Sequence, residues 1–134
     1  MMDARYVQMR SFPDGRGTLS VGEMGREIPF PVRRVYYIYD VPSPGIRRGY
    51  HSHKVLRQLC LCLGGSCTMM LDDGKERKDF VLDRPDQALY IGPGIWREMY
   101  DFTEGAVLMV LASEEYDEDD YIRDYDEFMR TKEG

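Results

Sequence analysis

Short apolar runs, separated by turn residues, fill the chain as far as residue 112. β-branched and aromatic side chains dominate several runs, most clearly Val32–Tyr39, and such residues favour strands. Asp72-Asp73-Gly74 contains an Asp-Gly pair, which is typical of tight hairpins. About nine short strands are predicted: Arg5–Met9, Thr18–Val21, Val32–Tyr39, Leu56–Leu63, Cys67–Leu71, Lys78–Leu82, Ala88–Ile91, Trp96–Asp101 and Ala106–Ala112. This pattern predicts an all-β sandwich or barrel.

The end of the chain follows a different pattern. Its apolar residues recur at helical spacing: Tyr121, Ile122, Tyr125, Phe128 and Met129. Asp117 precedes them, and an aspartate can cap the first turn of a helix. We therefore predict one domain over residues 1–134, in which residues 113–134 form an acidic helical segment packed on the barrel.

Charge is distributed unevenly and excludes some partners. The net charge is −6, and residues 114–134 alone hold 10 acidic and 3 basic side chains. The rest of the chain is near neutral and has no basic stripe, so nucleic acid is not an expected partner. No apolar run approaches the length of a membrane span, and the first residues lack the apolar region of a signal peptide. We expect a cytoplasmic protein without a membrane partner.

Three cysteines, Cys60, Cys62 and Cys67, fit a reducing compartment. An odd number argues against a disulfide framework. Cys60 and Cys62 share one face of a strand, where a metal role is conceivable. Because leucines alternate with them, we favour small thiols buried in the core.

Both histidines of the chain lie in one segment, Gly49-Tyr50-His51-Ser52-His53. Residues i and i+2 of a strand point to the same face, so both imidazoles can enter one cavity. The inward face of a small barrel is normally apolar, and two histidines there indicate a site. The alternative is a pair of exposed or hydrogen-bonded histidines without a function.

The His-x-His segment resembles the first cupin motif, and Gly92-Pro93-Gly94-Ile95-Trp96-Arg97 resembles the second. Metal-binding cupins have a third histidine where this chain has Arg97, and a glutamate that falls here at Arg57 or Gln58. No further histidine replaces them, and a cation repels a divalent metal. Metal sites of this kind need three or four protein ligands. We therefore predict no metal.

Together the motifs resemble one group of metal-independent cupins, the 3,4-ketoisomerases that act on dTDP-4-keto-6-deoxyglucose in deoxysugar biosynthesis. The segments that carry the resemblance are Arg33–Asp40, Arg48–Lys54, Leu89–Met99 and Tyr116–Tyr125. The resemblance implies a cupin-type jelly-roll barrel with a short C-terminal helix. It also implies a homodimer in which the N-terminal strand is exchanged.

The chemistry of such an enzyme suits these residues. Moving a ketone from C4 to C3 through an enediolate is acid–base work, for which histidine is suited near neutral pH. It involves no redox change, so we predict no nicotinamide, flavin or other cofactor. We assign His51 as the base and His53 as a proton relay or ligand contact. Arg97 and Tyr37 would stabilise the enediolate; the resemblance places Tyr37 in the active site.

Substrate binding is assigned to three basic residues. Arg48 could bind the diphosphate through two parallel hydrogen bonds from its guanidinium. The resemblance places Arg16 near the sugar. Lys54 follows the His-x-His segment and completes the set. The sequence leaves the nucleotide and the configuration at C4 of the product open.

Two other functions compete with the isomerase. One is a non-catalytic cupin that binds a nucleotide sugar or another small anion. The other is a metal-dependent cupin dioxygenase, which Arg97 and the missing glutamate disfavour.

Overall fold

The computed structural model of this protein describes residues 1–133, which form twelve strands, a single 3₁₀ turn and one short α-helix. The strands are β1 (Ala4–Gln8), β2 (Arg10–Asp14), β3 (Gly17–Val21), β4 (Arg34–Ile38), β5 (Arg48–His53), β6 (Gln58–Gly64), β7 (Cys67–Asp72), β8 (Arg77–Leu82), β9 (Gln87–Ile91), β10 (Trp96–Tyr100), β11 (Val107–Ala112) and β12 (Tyr121–Ile122).

Two five-stranded sheets make the barrel, with strand orders β1-β9-β6-β11-β4 and β12-β5-β10-β7-β8. The pairings within both sheets are antiparallel. The hairpin β2–β3 forms a separate two-stranded sheet. This architecture confirms the predicted all-β cupin-type jelly roll.

The main core lies between the two sheets. Leu89 and Leu108 from the first sheet meet Met69, Leu71 and Met99 from the second. Buried and half-buried residues alternate along β11, as expected for a strand with one face in the core. This strand therefore follows directly from the apolar pattern.

A second apolar layer covers the outside of the first sheet. Ile28 and Phe30, from the segment before β4, pack against Leu59, Leu61 and Tyr90. Strand β6 is consequently apolar on both faces, which explains its continuous apolar sequence.

The acidic tail differs from the prediction. The helix α1 spans only Tyr125–Arg130, and Asp124 rather than Asp117 caps it. Asp117 instead caps the 3₁₀ turn Glu118–Asp120. Tyr121 and Ile122 form β12, which pairs with β5, because hydrogen bonding to an exposed sheet edge outweighs local helical spacing. Gly134, the last residue of the predicted segment, lies outside the described residues.

All three cysteines are free and buried, which confirms the prediction of core thiols. Cys62 Sγ lies 3.2 Å from the carbonyl oxygen of Gly64, and burial raises the pKa of Cys60 to about 12. Across residues 1–133, no helix has the length and apolar character needed to span a membrane.

Candidate active site

A bulge in β5 sets the position of the first histidine. Arg97 pairs with His51 and Glu98 with Gly49, so Tyr50 is an extra residue on β5. Gly49 has φ of 96° and Tyr50 has φ of 55°. A Cβ on Gly49 would lie 2.9 Å from the Arg97 carbonyl oxygen, so the conformation and the space both require glycine.

The bulge fixes the tautomer of His51. His51 Nδ1 lies 3.0 Å from the carbonyl oxygen of Gly49. A carbonyl oxygen only accepts, so Nδ1 carries the proton and Nε2 is left with its lone pair. Burial, and then the positive charge of Arg97, lower the pKa of His51 to about 4. At neutral pH the ring is therefore uncharged, as a general base must be.

His53 lies directly behind His51 and is only 1% exposed. The two rings are perpendicular, with centroids 4.9 Å apart, and the Tyr121 ring packs against both. His53 Nδ1 lies 3.0 Å from Asp120 Oδ2. Burial and the charge of Arg97 lower the pKa of His53 to about 2. His53 is therefore a buried, neutral ring in contact with the half-buried His51.

Arg97 is a buried cation that makes no direct contact with a carboxylate. Its side chain is 2% exposed, and it donates to Gln58 Oε1 and, at 3.0 Å, to the Ile95 carbonyl oxygen. In the described part of the chain it makes no ion pair. Burying a guanidinium without a direct ion pair costs several kcal/mol, so this arrangement points to function rather than stability.

Gln58 and Arg97 stand where metal-binding cupins have a glutamate and a histidine, and they are hydrogen-bonded to each other. Gln58 faces Arg97, whereas Arg57 turns outward and donates to the Pro29 carbonyl oxygen at 3.3 Å. The missing glutamate therefore corresponds in space to Gln58. Among residues 1–133, no three histidine, cysteine or carboxylate side chains converge to hold a metal.

Tyr36, not Tyr37, is the tyrosine that points inward from β4. Gln58 Nε2 donates to the Tyr36 hydroxyl at 2.8 Å, so the phenol proton remains free. Burial raises the pKa of Tyr36 to about 12. Tyr37 borders the cavity, but its side chain is 61% exposed and stacks on Tyr39 with centroids 5.8 Å apart. The run of aromatic residues in β4 carries no alternation from which the inward face could be predicted.

His51 and Tyr36 open on a cavity of about 490 Å³, a size that suits a small organic ligand. The cavity is lined by Arg34, Tyr36, Tyr37, Ile38, Arg48, Gly49, His51, Met99, Tyr116, Tyr121 and Arg123. Its charged lining consists of three arginines without a carboxylate, although the chain as a whole is acidic. A neighbouring cavity of about 320 Å³ has Glu114, Glu115, Asp117 and Asp120 in its lining. An anion would therefore bind in the first cavity.

The predicted substrate-binding residues do not all meet. Arg48 lines the cavity. Lys54 is exposed, and its backbone N–H donates to the Asp120 carbonyl oxygen. Arg16 lies between β2 and β3, with a side chain 92% exposed and 3.2 Å from Asp14.

The sequence assigned no role to several residues around the site: Arg34, Tyr36, Gln58, Asp120, Tyr121 and Arg123. Arg34 lies against the rings of Tyr36 and Tyr116, at 5.5 and 5.6 Å from their centroids. Arg123 pairs with Glu118 through two 2.9 Å contacts and lies 4.3 Å from the centre of the Tyr121 ring. Asp120 and Arg123 lie in the acidic tail, where no sequence signal separates them from their exposed charged neighbours.

Comparison with known proteins gives concordant matches. Residues 2–133 match the family described as "FdtA: WxcM-like, C-terminal". The chain is 46% identical over 129 residues to a TDP-4-oxo-6-deoxy-alpha-D-glucose-3,4-oxoisomerase of Aneurinibacillus thermoaerophilus, covering 96% of this chain and 92% of that protein.

Solved structures agree with this match. A 3,4-ketoisomerase from Helicobacter canadensis superposes with a TM-score of 0.94 at 46% identity, covering 98% of each chain. A histidine-to-asparagine variant of the 3,4-ketoisomerase QdtA from Thermoanaerobacterium thermosaccharolyticum, in complex with TDP-4-keto-6-deoxyglucose, gives the same TM-score and identity. That match covers 98% of this chain and 94% of the other.

Proposed function

We propose, from the premise that this chain belongs to the FdtA family of WxcM-like proteins, that it is a 3,4-ketoisomerase acting on dTDP-4-keto-6-deoxyglucose. The observation that carries the proposal is His51, an uncharged imidazole with its Nε2 lone pair available, on the wall of a cavity whose charged lining is three arginines. One relative is named for this keto sugar and another has it bound, and their matches cover 96% and 98% of this chain. The second also shares its fold.

The reaction moves two protons and no net electrons. C3 loses a proton and C4 gains one, while a hydroxyl proton passes from the C3 oxygen to the C4 oxygen. The enediolate between these steps carries negative charge on oxygen, which nearby donors and cations stabilise. The isomerisation therefore needs an acid–base group and an electropositive site, and no oxidant or reductant.

We assign removal of the carbon-bound proton to His51. Stabilisation of the negative charge on oxygen is assigned to three hydrogen-bonded residues, Tyr36, Gln58 and Arg97. The free Tyr36 hydroxyl proton can be donated to a substrate oxygen in the cavity. Gln58 links that hydroxyl to the Arg97 guanidinium, whose field is strong because both groups are withdrawn from water. Tyr36 thereby takes the place that the sequence assigned to Tyr37.

We also propose that the enzyme works in the cytoplasm without a cofactor. The three buried, free thiols are consistent with a reducing compartment. The donor set around the two histidines, in which Arg97 and Gln58 replace metal ligands, is consistent with metal-independent chemistry.

We propose further that the protein is a homodimer with exchanged N-terminal residues. Strand β1 pairs with β9 of its own barrel, so the part available for exchange is the β2–β3 hairpin. Phe12 and Leu19 on this hairpin are 57% and 61% exposed, and a partner would cover such apolar side chains. In that arrangement Arg16 would reach the partner's cavity.

Incubation with dTDP-4-keto-6-deoxyglucose, followed by NMR of the sugar, tests the function. We expect a 3-keto product and incorporation of solvent deuterium. Tight binding of the sugar nucleotide without turnover would instead show a non-catalytic cupin. The spectrum also reports the configuration at C4.

Tyr36→Phe should lower turnover about tenfold, because it removes a hydroxyl donor worth roughly 1.4 kcal/mol in the transition state. Tyr37→Phe is the matched control and should leave turnover unchanged, since its side chain is largely exposed. Steady-state rates of both variants provide the measurement. The reverse order of effects would return the catalytic assignment to Tyr37.

Arg48→Ala should raise the substrate KM at least tenfold, since a charge-assisted contact to phosphate contributes about 1.5–3 kcal/mol. Arg16→Ala should raise KM as well if the hairpin reaches the partner's cavity. Analytical ultracentrifugation of this variant should show that it is still a dimer. Lys54→Ala is the control with an unchanged KM, because Lys54 lies outside the cavity lining. An unchanged KM for Arg16→Ala would argue against the exchanged arrangement.

A further inference from the structure

A carboxylate from the acidic tail closes the site behind the histidines. Asp120, at the end of the 3₁₀ turn, is 8% exposed. Its Oδ2 lies 3.0 Å from His53 Nδ1, and its Oδ1 accepts the Val55 backbone N–H at 2.8 Å. The Lys54 N–H donates to the Asp120 carbonyl oxygen at 2.9 Å. Three contacts therefore hold this residue against the end of β5.

These contacts determine which nitrogen of His53 carries the proton. An ionised carboxylate accepts hydrogen bonds and cannot donate one, so Nδ1 must be the protonated nitrogen. His53 Nε2 is then an acceptor, and it is buried without a protein partner in the described residues. A buried acceptor without a partner is costly, so the unpaired Nε2 beside the candidate base points to function rather than stability.

We propose that Asp120 is a positioning residue, which holds His53 with its proton on Nδ1 and so keeps the Nε2 lone pair free behind His51. The inference deepens the proposed isomerase function and rests on it. It extends the site into the acidic tail, whose residues would otherwise be taken for a solvated surface.

The pairing of β12 with β5 supports a positioning role rather than a chance contact. Tyr121 pairs with His53 in the strand register, and its ring packs 4.4 Å from the His53 ring centroid. The backbone pairing thus fixes the main chain of His53, while the Asp120 carboxylate and the Tyr121 ring restrain its imidazole. Other charged or titratable groups that act on His53 are His51, Arg34, Arg97 and Arg123.

Asp120→Asn tests the proposal. The amide can still accept the Val55 N–H through its oxygen, but it presents an NH₂ group to His53 Nδ1. Nδ1 must then accept, and the proton must move to Nε2. In a serine protease triad the equivalent change lowers kcat about 10⁴-fold; since His53 is not the base here, we expect a loss of at least tenfold. KM should change little.

Nitrogen-15 NMR of histidine reports the tautomer directly, and the chain contains only two histidines. Wild type should show both rings protonated on Nδ1, and Asp120→Asn should shift His53 alone to the Nε2–H form. Asp119→Asn, an exposed neighbour in the same turn, is the control with unchanged tautomers and rate.

Two outcomes would overturn the proposal. One is wild-type His53 protonated on Nε2, a measurement that needs no variant and so stands even if Asp120→Asn fails to fold. The other is a shifted tautomer in Asp120→Asn with wild-type kcat. Wild-type turnover is measured in the same assay, and its absence would refute the isomerase function while leaving the tautomer result intact.

Discussion

Replacing His51 with asparagine is expected to lower turnover by about 10²–10⁴-fold, the usual cost of losing a general base. Asparagine keeps the size and polarity of the side chain but has no nitrogen lone pair that takes a proton near neutrality. The His51 ring is uncharged and has Nε2 available at the cavity wall, so its loss should act on the chemical step.

Exchange of the C3 hydrogen with deuterated solvent is the measurement that isolates this step. Wild type should catalyse the exchange during turnover, and His51→Asn should not. His53→Asn is the comparison and should cost less, because that ring relays or positions rather than abstracts the proton. Wild-type exchange in His51→Asn would remove His51 as the base and make His53 or Tyr36 the next candidate.

Replacing Arg97 with methionine should lower turnover about 10²–10³-fold, the typical cost of removing a donor or charge that stabilises an oxyanion. The guanidinium is buried, linked through Gln58 to Tyr36, and makes no ion pair with a carboxylate in the described chain. Its field is therefore available to the enediolate, whose charge develops only during the reaction.

The same variant should fold about as stably as wild type. Methionine removes the desolvation cost of a buried cation, several kcal/mol, and leaves two acceptors without a donor at about 1–3 kcal/mol each. Urea unfolding measures this balance beside the rate. As a control for charge, Arg97→Lys should retain part of the activity. Loss of stability parallel to loss of rate would instead make Arg97 a structural residue.

Together these two variants separate the parts of the site. His51 acts on the carbon-bound proton, so its loss abolishes exchange as well as turnover. Arg97 stabilises charge that forms after proton removal begins, so its loss should slow exchange and product formation together. A mutant of Arg97 with normal exchange but slow product formation would place its action at the second proton transfer.

Local sequence was sufficient for the fold class and for the centre of the site. Apolar residues in short runs between turns predict strands, because the two-residue period of a strand is a property of the chain itself. The same period places His51 and His53 on one face of β5. Arg97 was also recognisable, because the second motif carries it in a short, contiguous segment.

The tertiary structure decided which distant residues meet these side chains. Tyr36 faces the cavity because β4 pairs with β11 in the register Tyr36↔Val110, and the aromatic run itself has no inward phase. Asp120 reaches His53 across 67 positions, and Gln58 reaches Arg97 across 39. Such contacts depend on which strands become neighbours and on the edge left for β12. Periodicity describes one element at a time, whereas neighbours are set by the packing of all of them together.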